Sequence, residues 1–145
     1  MSISVQSLQK VYGEQKAVNN ITFTVNQGEI VGFLGPNGAG KSTTMKILTG
    51  YLQPDGGKAF IAGVDVAQDP LATKAKVGYL PESNPLYYDM YVREYLQFMA
   101  EVHRVPNKKE RIEAVIAQVG LNPESHKKIG QLSKGYKQRV GLAAA

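Results

Sequence analysis

The sequence predicts an α/β fold, and three features of its hydrophobic pattern support this prediction. Apolar and polar residues alternate around Ile21, Phe23 and Val25, which is typical of an antiparallel strand with one buried face. An unbroken apolar run at residues 30–34 predicts a strand buried on both faces. Apolar residues recur at helical spacing from residue 92 to residue 119. A strand-rich first half is therefore expected to give way to a helical second half.

The same periodicities predict the remaining elements in chain order. We expect strands at residues 2–11 and 59–61, a short strand at 77–80, a helix at 43–51 and a short helix from Asp69 to about residue 74. Two amphipathic helices follow, with the apolar stripes Val92, Tyr95, Leu96, Met99, Val102 and Ile112, Val115, Ile116, Val119. We expect one domain in three parts: residues 1–84 as a strand-rich core, 85–130 as a helical subdomain and 131–145 as a final helix.

Composition narrows the class of protein. The chain has 145 residues, of which 43% are hydrophobic, so it can form a sizeable core. It has no cysteine, which excludes disulfides, thiolate metal sites and cysteine nucleophiles. No run approaches the ~18 apolar residues of a membrane span, and the N-terminus does not resemble a signal peptide.

The formal net charge of +5 is concentrated late in the chain, at Lys127, Lys128, Lys134, Lys137 and Arg139. Such a cluster suits a nucleic acid or a solvated surface. We find no aromatic residues interleaved with these charges as a base-stacking surface would need, so we expect a solvated face and no nucleic-acid partner.

A glycine-rich loop follows the apolar run. Its residues fit the pattern G-x-x-x-x-G-K-[ST] and are Gly35, Pro36, Asn37, Gly38, Ala39, Gly40, Lys41 and Ser42. The glycines allow backbone N–H groups to surround phosphate oxygens at the positive end of the next helix. Lys41 suits the β- and γ-phosphates, Ser42 suits Mg²⁺, and Thr43, at the start of the predicted helix, is a further candidate nucleotide contact. This P-loop predicts binding of ATP with Mg²⁺, although alone it fits a nucleotide kinase equally.

A second motif comes much later, as Leu132, Ser133, Lys134, Gly135, Tyr136, Lys137, Gln138 and Arg139. Ser133 and Gly135 at the start of a helix fit an anion-binding terminus, because the hydroxyl can donate a hydrogen bond and glycine permits close approach. Alone, the pattern favours an ordinary serine N-cap followed by a flexible glycine. Combined with the P-loop, it resembles the Leu-Ser-Gly-Gly-Gln signature of ABC transporter ATPases, with Lys134 and Tyr136 as the departures.

This resemblance covers the whole chain and is nearest to ATP-binding subunits of the ABC-2 and gliding-motility export types. It implies a P-loop NTPase fold with an antiparallel β subdomain, a P-loop α/β core and a helical subdomain. Tyr12 matches the residue that stacks on adenine, and Val18 matches an apolar position against the nucleotide. Glu82 stands where the family has a glutamine that reaches Mg²⁺, so the resemblance implies catalytic roles for Lys41 and Glu82. The plainer alternatives are a half-buried strand-end aromatic for Tyr12 and an exposed loop acid for Glu82.

The resemblance also implies partners. Two copies are expected to pair head to tail, with the P-loop of one and Ser133 of the other enclosing one ATP. A transmembrane permease subunit is expected to contact the helical subdomain, which would place the protein at the cytoplasmic face of the membrane.

The family's Walker B strand with its Asp-Glu pair does not occur in the sequence, and the chain ends in uncapped helical sequence. We therefore expect a C-terminally truncated domain that binds ATP, with hydrolysis belonging to a longer parent. The open alternatives are a soluble, non-transport ABC ATPase that acts on nucleic acid or ribosomes, a P-loop nucleotide kinase, and an inactive interaction fragment.

Overall fold

The computed structural model describes residues 2–145. It divides the chain into two compact units, Met1–Val77 and Gly78–Ala145. The P-loop lies in the first unit and the second motif lies in the second. Within the described residues, no helix is long and apolar enough to cross a bilayer.

The first unit contains an antiparallel sheet and two helices. The strands are β1 (Ile3–Tyr12), β2 (Gln15–Val25), β3 (Gly56–Ile61) and β4 (Val64–Asp65), and the helices are α1 (Lys41–Leu48) and α2 (Pro70–Lys74). The sheet order is β2-β1-β3-β4, and each neighbouring pair is antiparallel. The predicted short helix is confirmed as α2, and the carboxylate of Asp69 caps it by accepting a hydrogen bond from the Ala72 N–H.

A bulge in β1 explains how its apolar residues reach one core. Val5 and Leu8 are three residues apart, so a regular strand would direct them to opposite faces. Ser7 takes a positive φ of 49°, and its N–H donates to the Thr22 hydroxyl at 2.9 Å. The register shift at this point places both apolar side chains in the core. That core consists of Val5, Leu8, Val18, Ile47, Leu48, Ala59, Ile61 and Val66.

Two of the predicted strands are wrong. Residues 30–34 are irregular, and Ile30 and Leu34 are almost fully exposed, although Phe33 stacks on Phe23 of β2 with ring centroids 5.4 Å apart. Residues 77–80 are also irregular. The physical reason is the same for both: no strand among residues 2–145 forms a hydrogen-bonded ladder beside them, and an apolar run is a strand only where such a ladder exists.

The second unit is helical. It contains α3 (Val92–Val102), α4 (Lys108–Gln118) and α5 (Lys134–Ala144), with 3₁₀ turns at Asn122–Glu124 and Ile129–Gln131. The two predicted amphipathic helices are confirmed, and His103 and His126 are exposed. Its core consists of Leu86, Val92, Tyr95, Leu96, Ala100, Ile112, Ile116, Leu121, Ile129, Leu132 and Val140.

Candidate functional site

The backbone of the P-loop takes a form that requires glycine at two positions. Gly38 and Gly40 have φ values of 83° and 81°, in the left-handed region that other residues avoid. A Cβ on Gly40 would also overlap the carbonyl oxygen of Ala17 in β2, whereas one on Gly38 would meet nothing. Gly40 therefore lets the loop lie directly against the sheet, and α1 begins at the next residue.

Lys41 closes the loop on itself. Its ammonium donates to the carbonyl oxygens of Gly35 at 2.6 Å and Pro36 at 2.7 Å, while the Ala39 N–H donates to the same Pro36 oxygen at 3.2 Å. The positive charge is thus held by the loop that precedes its own helix. An ammonium fixed at this point can interact with phosphate oxygens without first being ordered.

The N-terminus of α1 offers unpaired N–H groups beside this charge. Its first turn carries no acidic side chain, and no side chain caps Gly40 among the described residues. Thr44 is buried and bonds back to the Gly40 carbonyl through both its N–H and its hydroxyl. Asn37 and Ser42 are exposed, and Thr43 is half-buried. The loop and helix end therefore form an accessible anion-binding site.

The structure brings one further predicted residue to the loop. Val18 of β2 is buried, and its side chain lies 3.3 Å from the position that a Gly40 Cβ would occupy. Tyr12 ends β1, and its ring is 49% exposed. An exposed ring at a strand end is available for stacking, so Tyr12 remains a prediction as an adenine contact.

Glu82 belongs to the second unit, where its side chain is exposed. Ser42 belongs to the first unit, so a shared Mg²⁺ site of these two residues stays a prediction. Among residues 2–145, no group of three or more histidine and carboxylate side chains is arranged to hold a metal. In the P-loop the Ser42 hydroxyl can serve as an oxygen ligand, which fits an ion held largely by phosphate oxygens and water.

Ser133 begins α5 as its N-cap. Its Oγ accepts a hydrogen bond from the Tyr136 N–H at 3.3 Å, which is the plainer of the two interpretations drawn from the sequence. Gly135 is exposed and has no positive φ, and among the described residues a Cβ there would meet only the Ser133 Oγ, at 4.0 Å. The packing of the chain thus explains Ser133 but leaves Gly135 free for another partner.

Each of the two motifs lies at the exposed N-terminus of a helix. Residues 18–145 match the family model described as ABC transporter. The chain belongs to the ABC transporter family. The predicted fold class and the recognition of the family are therefore confirmed, and the kinase alternative is excluded.

Curated relatives agree with this assignment. The chain is 39% identical to the uncharacterized ABC transporter ATP-binding protein YxlF of Bacillus subtilis, with 99% of this chain and 48% of the relative covered. It is 38% identical to the bacitracin transport ATP-binding protein BcrA of Bacillus licheniformis, with 99% of this chain and 46% of that relative covered. A third relative is the SkfA peptide export ATP-binding protein SkfE of Bacillus subtilis, at 39% identity, covering 99% and 60%. The chain thus spans about half the length of the first two relatives and somewhat more of the third.

Solved structures have the same architecture. An ATP-binding subunit of an ABC transporter matches with a TM-score of 0.90 at 30% identity, covering 100% of this chain and 61% of that one. The dimeric bacterial ABC transporter cassette MJ0796 matches with a TM-score of 0.84 at 25% identity, covering 98% and 68%. The arrangement of strands and helices described above is therefore that of an ABC ATPase nucleotide-binding domain.

The expectation that no aromatic residues accompany the late positive charges is also wrong. Aromatic rings do accompany the late positive charges: Tyr88 lies 4.9 Å from the Lys137 ammonium, and Tyr91 lies 5.8 Å from that of Lys128. Tyr136 stands between two of these lysines in the sequence itself, and its ring lies 5.3 Å from the Arg139 guanidinium. The first two pairs join residues from different elements, so spacing could not reveal them.

Proposed function

We propose that this chain forms the ATP-binding region of an ABC transporter ATP-binding subunit. The observation that carries the proposal is the P-loop geometry, in which the Lys41 ammonium and the open N-terminus of α1 share one accessible site. Membership of the family and the names of the relatives support the transport role. In the whole protein, ATP hydrolysis would drive a solute through a membrane permease subunit at the cytoplasmic face of the membrane.

Bound ATP would be held as follows. The N–H groups of the loop and of α1 surround the β- and γ-phosphates, and Lys41 neutralises part of their charge. The Ser42 hydroxyl would be a protein ligand of Mg²⁺, and a carboxylate oxygen of Glu82 is the second ligand that the family resemblance implies. Tyr12 stacks on the adenine, and Val18 supplies apolar contact next to the loop.

The second half of the site would come from another copy of the protein. No close contact among the described residues requires a glycine at position 135. A glycine at a helix N-terminus permits a phosphate to approach the backbone closely. We propose that Ser133 and Gly135 of one copy close over the ATP on the P-loop of the other. The dimeric state of the related MJ0796 cassette supports this arrangement.

Residues 1–145 alone are proposed to bind ATP without turning it over. The sequence offers no apolar strand ending in an Asp-Glu pair, and a carboxylate that orients the attacking water is needed for hydrolysis. A phosphate-release assay on residues 1–145 checks this: turnover close to that of the whole protein would contradict it.

Isothermal titration calorimetry tests the phosphate contacts. Mg²⁺-ATP should bind the purified protein at least tenfold more tightly than AMP, which lacks the β- and γ-phosphates. Lys41→Ala should remove most of this preference, because the ammonium interacts only with the distal phosphates. Lys46→Ala, in the last turn of the same helix, is the matched control and should keep it. Equal affinities of the Lys41→Ala variant and the wild type would refute the proposal.

A further inference from the structure

The strand end that carries Tyr12 is held less regularly than the rest of β1. The register of β1 with β3 ends at Gln9, opposite Gly56. The register with β2 shifts on both sides of Lys10. Val11 and Tyr12 remain paired with Lys16 and Gln15 of β2, but on the other side the end of β1 extends past the start of β3 and needs other contacts there.

Asp55, the residue before β3, supplies those contacts. Its N–H donates to the Gln9 carbonyl at 2.9 Å, its Oδ2 accepts the Val11 N–H at 2.7 Å, and its Oδ1 accepts the Lys10 ammonium at 2.9 Å. Each oxygen thus accepts a charge-assisted hydrogen bond, which is stronger than a neutral one. The Val11 N–H, followed by Lys10, lowers the pKa of Asp55 below its usual value, so the carboxylate is ionised at neutral pH.

Lys10 extends this arrangement to the aromatic ring. Its ammonium lies 5.7 Å from the centroid of the Tyr12 ring, within the range of a cation–π interaction. The Lys10 side chain is only 15% exposed, so its stem is held by packing, while about half of the Tyr12 ring stays accessible. A ring that is already ordered on its strand loses less conformational freedom when a base stacks on it.

We propose that Asp55 is a positioning residue that acts through Val11 and Lys10 to hold Tyr12 ready for the adenine of bound ATP. This proposal rests on the proposed function and adds a residue to it. In the sequence, Asp55 stands in a Pro-Asp-Gly-Gly turn and shows no sign of this role.

Comparing Mg²⁺-ATP with Mg²⁺-tripolyphosphate tests the proposal, since tripolyphosphate occupies the P-loop but carries no base. Stacking of a base on an aromatic ring contributes roughly 5- to 150-fold in affinity, so Tyr12→Ala should weaken ATP binding within that range. Asp55→Ala should remove part of this stacking contribution and weaken ATP binding about three- to tenfold. Neither substitution should change the affinity for tripolyphosphate. In the Tyr12→Ala background, Asp55→Ala should cause no further loss.

Two variants refine the result. Asp65→Ala is the matched control, because Asp65 lies in the same sheet. Its carboxylate also accepts backbone N–H groups, from Ala67 at 2.9 Å and Gln68 at 3.3 Å. Asp65→Ala should leave both affinities unchanged. Asp55→Asn keeps an acceptor for Val11 but loses the charge that pairs with Lys10, so it should recover part of the ATP affinity lost in Asp55→Ala.

The outcomes separate the two proposals. If Asp55→Ala lowers the affinities for ATP and tripolyphosphate equally, Asp55 is merely structural and the positioning role is wrong. The same holds if Asp55→Ala lowers the ATP affinity as much in the Tyr12→Ala background as in the wild type. If Asp55→Ala changes neither affinity, the positioning role is also wrong, while the P-loop assignment stands. If the wild type binds neither ligand, or Lys41→Ala leaves both affinities unchanged, the proposed function fails and the positioning role fails with it.

Discussion

The P-loop and the second motif each contain a glycine at a helix N-terminus, but the chain explains only one of them. Gly40 has a positive φ and lies so close to Ala17 that no side chain fits. Gly135 has ordinary helical geometry with open space around it, although glycine inside a helix costs roughly 0.5–1 kcal/mol relative to alanine. One glycine therefore serves the fold of its own chain, whereas the other is best explained by something that approaches from outside.

Gly40→Ala should have the largest effect on stability. The variant combines a positive φ with overlap of the Ala17 carbonyl, so we expect the free energy of unfolding to fall by about 2 kcal/mol or more. Gly38→Ala is the control, because Gly38 has nearly the same φ but no neighbour, and it should lose about 1–2 kcal/mol. Urea denaturation measures both. Equal losses would show that contact with Ala17 does not distinguish the two glycines.

Ser133→Ala should destabilise the protein by about 1 kcal/mol, because the Tyr136 N–H loses its acceptor at the start of α5. Ser133→Asn, which retains a capping oxygen, should restore most of that loss. The unfolding midpoint in urea measures both changes. An unchanged midpoint in Ser133→Ala would mean that the cap contributes nothing, and would sharpen the case for a purely intermolecular role.

Gly135→Ala should act on stability and on association in opposite directions. Replacing a helical glycine should raise the free energy of unfolding by about 0.5–1 kcal/mol, since alanine fits without a clash. The same methyl group should obstruct the approach of a phosphate from a second copy, so nucleotide-dependent dimerisation should decrease. Denaturation and analytical ultracentrifugation measure the two effects. A variant that gains stability and dimerises normally would remove the reason for assigning Gly135 to the site.

The two units should also differ in how pH affects them. In the first unit, the Asn26 N–H and then the Asn26 side chain lower the pKa of Glu29, and the Val11 N–H and then Lys10 lower that of Asp55. These contributions are present above the ordinary pKa values of 4.5 and 3.8, and they disappear as the pH falls through the lowered values. In the second unit, burial raises the pKa of Tyr95 above 10.0, and so does the nearby Tyr87 to a smaller extent.

The pH dependence of stability that Tyr95 causes has the opposite sign. Its contribution is complete below pH 10.0 and is lost as the pH rises through the raised pKa. Amide hydrogen exchange should therefore show the first unit weakening in acid and the second weakening in alkali. Asp55→Asn should reduce the acid dependence of the first unit, and Tyr95→Phe should reduce the alkaline dependence of the second. Identical pH profiles for both units would contradict the assignment of the acid dependence to the first unit and of the alkaline dependence to the second.

Sequence reasoning located elements whose signal is local. The alternation in β2, the helices α3 and α4, and the short helix that starts beside Asp69 depend on near neighbours and are confirmed, although Val102 of the predicted α3 stripe is exposed. The run at residues 30–34 failed because a fully buried strand needs hydrogen-bonding partners on either side, and its own residues cannot reveal whether these exist. Ile30 and Leu34 of this run are the two most exposed large apolar side chains among the described residues of the first unit.

The same distinction applies to the site. The P-loop is eight consecutive residues, so its spacing predicts its chemistry directly. The contacts of Asp55 with Lys10 and Val11 span 45 and 44 residues, and those of Arg139 with Val119 and Gly120 span 20 and 19. Only the folded backbone brings such residues together. Whether Tyr12 and Glu82 contact a nucleotide stays a prediction.

We propose that one ATP is bound by the P-loop of one copy and by Ser133 and Gly135 of another. The most direct measurement mixes two defective variants, Lys41→Ala and Gly135→Ala, with Mg²⁺ and a non-hydrolysable ATP analogue. Neither variant alone should dimerise strongly. An equimolar mixture should dimerise with one nucleotide per dimer, because the intact P-loop of one copy meets the intact helix end of the other. A mixture that remains as monomeric as its components, or a Gly135→Ala variant that dimerises alone with two nucleotides, would contradict the claim.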